Sequence, residues 1–415
     1  MLNRHSAKVF LLVSIALALF TNMNKVLVPA LVFDSLQTDL GLSAVALAGL
    51  GSCYMFSMAI SQFVMGLFTD RIGGIRVVLM GGLAFCVGML MFPLTSNLWV
   101  MQAARIISAF GGGITFLGIS KIIADTYPEK FTSMLSVYLV VAYTGPIVGT
   151  ALIPMISHAC GWRIAMMVPT IISIVLFVIS LFFLPKKKSG AESAAGGNML
   201  QPLRSVLSNR NILKIFLSSS IVYGNYYALQ TLMGAKCLTD LGLFSSQGSY
   251  FYMTFLGVVV VCVTMSSGLI CRLMRGRYRQ GMRLAAGLNL AGAALGVIGL
   301  LLPGGRWLLP VGYLLLALPA GGFSIFGTMC KDGARPDCVA LVIALLNFAA
   351  FVMISVMGAL AGAVMHYYEK GATMVGGRLV YSVTAYQSVF LLFLVAGVFS
   401  MLATVGLFRD RNIGR

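Results

Sequence analysis

The chain has 415 residues, of which 59% are hydrophobic and only 10% are charged, and its mean hydropathy is +0.95. Because a soluble domain carries about 25% charged residues, this composition excludes an ordinary soluble protein. The formal net charge of +18 is compatible with a nucleic-acid partner or with a membrane surface, and the position of the charges decides between them.

Long apolar runs separated by short polar segments recur along the whole chain. A helix that crosses a bilayer needs about 20 apolar residues, and lipid offers no partner to exposed backbone groups, so each run is predicted to be a helix. The sequence therefore predicts an all-α membrane protein with 12 transmembrane helices, in the runs 9–33, 40–66, 77–95, 98–120, 132–157, 163–184, 214–236, 249–271, 284–303, 307–330, 338–365 and 380–408.

Positive charge is concentrated in alternate segments between the predicted spans. Of the 29 lysines and arginines, 22 fall on the side of the N-terminus, four on the opposite side, and three within or at the edge of spans. This asymmetry is the positive-inside pattern, and it predicts that both termini are cytoplasmic. The basic excess is thereby assigned to topology and to contacts with anionic membrane lipid, and a nucleic-acid partner is excluded.

One polar segment divides the chain into two halves of six spans each. Three lysines and a stretch rich in Gly, Ser and Ala follow Pro185, a composition typical of a flexible, solvated linker. The halves resemble diverged copies, since Gly112–Gly118 in span 4 matches Gly321–Gly327 in span 10. We therefore predict an N-terminal six-helix bundle (1–184), a cytoplasmic linker (185–213) and a C-terminal six-helix bundle (214–415).

The loop between spans 2 and 3 carries the most specific motif. Its fixed positions are Gly66, Asp70, Arg71, Gly73 and Arg76. Their spacing resembles the pattern G-x-L-x-D-R-x-G-x-R of the major facilitator superfamily, and with the repeat the resemblance covers nearly the whole chain. It implies a secondary transporter of the cytoplasmic (inner) membrane of a bacterium, built from two pseudo-symmetric six-helix bundles, with substrate at the midplane between them.

The resemblance also implies that this loop gates transport. Gly66 would let span 2 approach span 11, and Asp70 would lie near the start of span 11, where a helix N-terminus stabilises a carboxylate. These contacts would form only while the cytoplasmic side is closed. The alternative is a plain solvated Asp-Arg turn. In the second half the corresponding loop has Arg272 in place of the acid, so a weaker latch is expected there.

Two cations lie within predicted spans, Lys25 in span 1 and Arg105 in span 4. A charge at bilayer depth costs about 2.5–3.5 kcal/mol on insertion scales, so each is expected to face a wet interior or a partner. The 11 acids of the chain all fall in loops or at span ends. We therefore predict that Lys25 and Arg105 bind an anionic substrate group, since arginine can hold a carboxylate by two parallel hydrogen bonds. The alternative is that Arg105 bonds to span 1 carbonyls while Lys25 extends outward to the interface.

Span 7 carries polar side chains at helical spacing. Tyr223, Tyr227 and Gln230 stand at i, i+4 and i+7, so they share one face of a continuous helix. We predict that this face lines the substrate cavity, with Asn347 of span 11 as a weaker candidate. The alternative is hydrogen bonding between helices, which contributes only about 0.6 kcal/mol per bond on average.

Span 5 contains Gly145, Pro146 and Gly149, which resemble part of the G-P-x-x-G-G antiporter signature of the same family. Thr150 stands where the signature has its last glycine. Such a segment predicts a kinked helix that packs closely against a neighbour. It is a weak signal for export.

Motifs of an enzyme or of a bound cofactor are not found. No G-K-[ST] loop for a nucleotide is present, and the three histidines make no metal cluster. We expect a monomeric secondary transporter, without cofactor or metal, that moves a small organic anion or carboxylate-bearing solute by alternating access, driven by protons or by exchange. The alternatives are a proton-coupled exporter of drugs or metabolites, and a sensor that keeps the fold but moves no solute.

Overall fold

The computed structural model describes residues 2–28, 30–127, 131–184, 200–274, 277–333, 339–375 and 378–405. The helices of the first half are α1 (Leu2–Leu27), α2 (Phe33–Leu40), α3 (Ala44–Ile72), α4 (Gly74–Met91), α5 (Leu98–Thr126), α6 (Phe131–Cys160) and α7 (Trp162–Phe182). Those of the second half are α8 (Leu200–Leu207), α9 (Arg210–Ala228), α10 (Gly234–Asp240), α11 (Ser246–Met274), α12 (Tyr278–Leu301), α13 (Leu308–Gly321), α14 (Phe323–Gly333), α15 (Val339–Tyr367) and α16 (Val383–Ala403). A two-stranded antiparallel hairpin, β1 (Thr373–Val375) and β2 (Arg378–Val380), joins α15 to α16.

Ten helices in the described part of the chain are long and apolar enough to cross a membrane: α1, α3 to α7, α11, α12, α15 and α16. They coincide with ten of the twelve predicted runs. The remaining two runs, 214–236 and 307–330, are also helical, but each is interrupted. Span 7 consists of α9, a π-helical segment (Leu229–Met233) and α10, whereas span 10 consists of α13 and α14.

The interruption of span 10 falls at the glycine pair that the sequence repeat aligns with span 4. There α13 ends at Gly321, whose carbonyl accepts a hydrogen bond from Thr264 of α11 at 2.9 Å, so the freed backbone group is satisfied. In contrast, α5 runs uninterrupted through Gly112 and Gly113. Pro319, which has no backbone N–H to donate, distinguishes the second copy from the first.

Span 1 is shorter than its apolar run. The run was predicted to continue to residue 33, but α1 ends at Leu27 and a separate helix begins at Phe33. The sequence has a proline at position 29, outside the described residues, and a proline disfavours helical conformation in the residue before it. The four last carbonyls of α1 therefore need donors from elsewhere in the molecule.

The chain groups into two units by its internal contacts. The first comprises the residues up to Leu40 and those from Cys53 to the end of α7, and the second comprises Gly41–Ser52 and everything from α8 onward. The start of α3 thus belongs with the second unit, where Ser355 of α15 donates to the Ser52 carbonyl at 2.8 Å. The predicted bundle boundaries stay a prediction. Residues 185–199 of the predicted linker lie outside the described residues, and 200–207 form the helix α8.

Glycines let the helices of each unit pack backbone against backbone. In the first unit, a Cβ on Gly111 of α5 would collide with the backbone of α4 at Phe85. In the second unit, a Cβ on Gly292 of α12 would lie 2.7 Å from the Gly312 carbonyl of α13. Small residues at such contacts let the helix backbones approach closely. The resulting van der Waals packing stabilises helix association in lipid, where no hydrophobic driving force acts between helices.

Candidate substrate-binding and gating residues

The side chain of Arg105, a residue of α5, reaches the C-terminal end of α1. Its Nη1 donates to the Asn24 carbonyl at 3.0 Å and to Asn24 Oδ1 at 2.8 Å, and its Nη2 donates to the Val28 carbonyl at 3.1 Å. The side chain is only 1% exposed, and the guanidinium carbon stands 4.0 Å from the centre of the Tyr54 ring of α3. Arg105 therefore supplies the donors that the end of α1 requires, and it joins α5, α1 and α3.

Lys25 lies one residue beyond the Arg105 acceptor Asn24. Its Nζ donates to Asn22 Oδ1 at 2.7 Å, and the side chain is partly buried. Lys25 thus lies on the last turn of α1, and Arg105 reaches the same end of α1 from α5. A positive charge is electrostatically favourable at the C-terminal end of a helix, where the dipole is negative.

The sequence left two roles open for Arg105, namely binding of an anionic substrate and bonding to span 1 carbonyls. The described bonds of Arg105 are those of the second role. For Lys25 the bond to Asn22 shows a side chain directed along its own helix. Direct contact between either cation and a substrate stays a prediction. The sequence placed both side chains in spans. It did not show that α1 ends at Leu27, just after Lys25.

Tyr223 and Tyr227 form an aromatic cluster on α9. Their ring centres are 4.5 Å apart and their hydroxyls 3.4 Å apart, and the Tyr223 ring lies 4.6 Å from that of Phe323, the first residue of α14. Both tyrosines are partly exposed, whereas the neighbouring Tyr226 is fully buried. The Tyr226 hydroxyl has no hydrogen-bond partner among the described residues. The cluster therefore offers flat apolar faces together with phenolic hydroxyls.

Gln230 lies in the π-helical segment rather than on a continuous α-helix. The prediction that it shares a face with Tyr223 and Tyr227 assumed a regular 3.6-residue period, and that assumption is wrong because Leu229–Met233 follow i to i+5 bonding. Gln230 is buried, at 5% exposure, whereas the two tyrosines are not. Single turns of π-helix occur frequently at functional sites. Asn347 lies half-buried in α15, which packs against α9.

The gating motif is mostly helical. It was predicted as a short turn, but α3 continues through Gly66 and Asp70 to Ile72, and only Gly73 separates it from α4. Gly73 has φ +88°, a conformation that glycine adopts readily. The side chains of Asp70 and Arg71 are outside the described set. A Cβ on Gly66 would meet no heavy atom within 4 Å, and Arg76 is exposed, so the gating role of the motif stays a prediction.

The glycines of span 5 pack against α1. A Cβ on Gly145 would collide with the Leu19 carbonyl, and one on Gly149 would lie 2.8 Å from Met23. Pro146 stands inside α6, which remains one helix from Phe131 to Cys160. Any part that this close contact plays in transport stays a prediction.

Sequence reasoning missed an ion pair in span 7. Lys236 and Asp240 are 3.4 Å apart, with side chains 4% and 2% exposed. Their i, i+4 spacing at the end of an apolar run was a visible signal, but Asp240 was grouped with the acids at span ends.

Among the described residues, no group of three or more His, Cys, Asp and Glu side chains could hold a metal ion.

The sequence profile of the Major Facilitator Superfamily matches residues 12–358, which is most of the chain. The chain belongs to the major facilitator superfamily. The resemblance drawn from the loop motif is thereby confirmed, and so is the all-α fold. The protein is a membrane transporter and not an enzyme.

Curated relatives of low identity match parts of the chain. The cis,cis-muconate transport protein of Acinetobacter baylyi is 24% identical over 239 residues, which are 55% of this chain and 58% of that protein. The multidrug resistance protein MdtM of Escherichia coli is 24% identical over 310 residues, 70% of this chain and 73% of that protein. In the first of these the chain spans under two thirds of its relative's length.

Solved structures of transporters have the same fold. A bacterial homologue of the human lysosomal transporter Spinster, in an inward-facing and unoccupied conformation, superimposes with a TM-score of 0.76 at 14% identity. The match covers 99% of this chain and 98% of that one. At this identity the likeness establishes the superfamily fold alone.

Proposed function

We propose that the protein is a secondary active transporter that moves a small organic anion, or a solute bearing a carboxylate, across the cytoplasmic membrane by alternating access. Both termini are cytoplasmic in this proposal, and the chain acts as a monomer. The observation that carries the proposal is that Lys25 of α1 and Arg105 of α5, each on a helix long and apolar enough to cross a membrane, both lie at the C-terminal end of α1. Charged side chains within membrane spans are rare and mark substrate or ion pathways.

The two cations have different parts in the proposal. Arg105 is buried and donates three hydrogen bonds to Asn24 and Val28. It therefore fixes the end of α1 and contributes a positive electrostatic potential there. Lys25 is less buried, and its ammonium has three donors on a flexible stem. Lys25 is therefore the group that binds the carboxylate. The partial similarity to a transport protein for muconate, an organic anion, supports this class of substrate.

The aromatic cluster of the second unit suits the body of such a solute. The rings of Tyr223, Tyr227 and Phe323 provide flat surfaces on which an unsaturated or aromatic carbon skeleton can stack. The Tyr227 hydroxyl, which accepts a hydrogen bond from Tyr223, can donate its own proton to a second carboxylate.

A proton-coupled exporter of drugs or metabolites is the second candidate. It is favoured by the similarity to MdtM, which covers more of the chain, and by the Gly145-Pro146 segment packed against α1. For a cationic substrate, the positive charges of Lys25 on α1 and of Arg105 on α5 would be unfavourable. The substrate's charge therefore separates the two candidates.

Reconstituted protein tests the choice. Purified full-length chain in liposomes is expected to move cis,cis-muconate in response to an imposed pH gradient or by exchange with internal muconate, and to leave the cation ethidium untouched. Protein-free liposomes and the variant Lys25→Met are the controls. Movement of ethidium without movement of muconate would overturn the anion proposal in favour of the exporter.

Removal of the acid in the loop motif is expected to slow transport. Asp70→Asn should keep the protein folded and inserted while shifting the population between inward-open and outward-open states, because the proposed latch loses its charge. Arg272→Ala, at the corresponding place in the second half, serves as the matched variant and should cost less activity than Asp70→Ala. Muconate uptake and the accessibility of engineered cysteines measure both effects, and equal losses would show that the two loops do not differ as proposed.

A further inference from the structure

The C-terminal part of span 7 is fastened by buried charges. Lys236 and Asp240 of α10 pair at 3.4 Å, and both side chains are almost fully buried. Lys236 Nζ also donates to the Leu379 carbonyl of β2 at 2.6 Å. Asp240 Oδ2 accepts from the Tyr381 backbone N–H at 3.1 Å and from the Tyr386 hydroxyl at 2.6 Å.

These bonds connect α10 to the hairpin strand β2 and to α16. Hydrogen bonds with one ionised partner are shorter and about twice as strong as neutral ones. Removing one member of a buried ion pair leaves the other charge uncompensated, so such a pair resists separation. The charged bonds therefore fix both the height and the rotation of α10 within the second unit.

The π-helical segment Leu229–Met233 directly precedes α10. Its closing bond runs from the Gly234 N–H to the Leu229 carbonyl, and Met233 departs from helical geometry at φ −138°. Such a segment holds one residue more than an α-helix of equal length, and it persists only where its surroundings fix both flanks. If it annealed into an α-helix, α10 would turn by about 100° and move by about 1.5 Å relative to α9. Lys236 and Asp240 would then lose their partners on β2 and α16.

We propose that Lys236 and Asp240 are positioning residues for Gln230. By fixing α10 against β2 and α16 they maintain the π-helical register of span 7, and this register determines where the Gln230 side chain points. The proposal rests on the proposed function in one respect, namely that Gln230 contacts the transported solute. The control of the helix register is independent of which solute is carried.

Hydrogen–deuterium exchange of the full-length protein tests the register without any substrate. Asp240→Asn is expected to raise the exchange rates of amides 229–240 by about tenfold or more, since the segment can then open, while amides 210–222 of α9 stay as in the wild type. Asp240→Glu keeps the acceptor and should remain within about threefold of the wild type. Tyr386→Phe removes one bond without changing charge and gives a milder increase if Asp240→Asn does not fold. Unchanged exchange in folded Asp240→Asn or Tyr386→Phe would overturn the proposal.

A double-mutant cycle tests the action through Gln230. Gln230→Ala and Asp240→Asn are each expected to raise the KM for cis,cis-muconate about tenfold with Vmax changed less than twofold. If Asp240 acts through Gln230, the double variant should be only about 10- to 20-fold weaker, whereas independent effects would multiply to about 100-fold. The multiplied result, or a loss confined to Vmax, would overturn the proposal.

A second i, i+4 pair provides the matched control. Lys121 and Asp125 of α5 lie 3.0 Å apart but are far more exposed, so Asp125→Asn removes the acid of a pair that belongs to the first unit. Asp125→Asn should leave both the exchange of 229–240 and the KM unchanged.

If the wild type does not move muconate, the anion proposal fails, and the exchange experiment still decides whether the ion pair controls the register.

Discussion

Arg105→Met is expected to lower the melting temperature of the purified protein by about 10 °C. The substitution removes three hydrogen bonds to Asn24 and Val28 and leaves carbonyls at the end of α1 without donors. Each unsatisfied buried polar group costs about 1–3 kcal/mol, so the three acceptors together cost at least about 3 kcal/mol. At about 2–4 °C per kcal/mol for a large domain, this gives a shift of the stated size.

Two further variants define the cause of that shift. Arg105→Lys keeps the charge but cannot reproduce the planar set of donors, so it should recover only part of the melting temperature. Arg163→Met is the matched arginine control, because Arg163 is 44% exposed and lies 3.9 Å from Asp39, a pair of small expected worth. An unchanged melting temperature of Arg105→Met, combined with a large loss of muconate affinity, would instead show that the guanidinium contacts the solute.

The spans could be predicted because lipid imposes a simple requirement on the sequence. Composition and the distribution of lysine and arginine are enough to predict the spans of a superfamily member. Every spanning helix must satisfy its own backbone hydrogen bonds and can contain few charges. The limits of this reasoning appear at Leu27, where α1 ends although the apolar run continues. Hydropathy carries no information on helix ends, and the proline at position 29 was the available signal.

The π-helical segment of span 7 could not be predicted from local sequence. The residues from Leu229 to Met233 are ordinary helix formers, and what makes the extra residue tolerable lies far away in the chain. Gly234 packs against Met253, where a Cβ would lie 2.7 Å from the methionine methyl, and Lys236 bonds to the Leu379 carbonyl. The positions of Tyr223 and Tyr227 depend only on the regular helix α9, and their spacing was correctly placed on one face.

Lys25→Met is expected to weaken the binding of cis,cis-muconate by about 10- to 150-fold while the melting temperature stays close to that of the wild type. A charge-assisted hydrogen bond contributes about 1.5–3 kcal/mol, which converts to this range of affinity. The fold should tolerate the change because methionine fills a similar volume and the Lys25 ammonium bonds along its own helix, to Asn22 at 2.7 Å. The expected effect is therefore the reverse of that of Arg105→Met, which reduces stability first.

Lys214 supplies the matched control for this comparison. It is also a lysine on a helix of the chain, and it donates to the Val405 carbonyl at 2.9 Å, but it belongs to no proposed site. Lys214→Met should leave muconate affinity unchanged, and Lys25→Arg, which retains the charge, should lie between Lys25→Met and the wild type. Affinity and melting temperature are measured on the same purified sample by titration calorimetry and thermal unfolding. If Lys25→Met binds muconate as the wild type does, the cation of span 1 serves the helix end alone, and the anion proposal loses its main support.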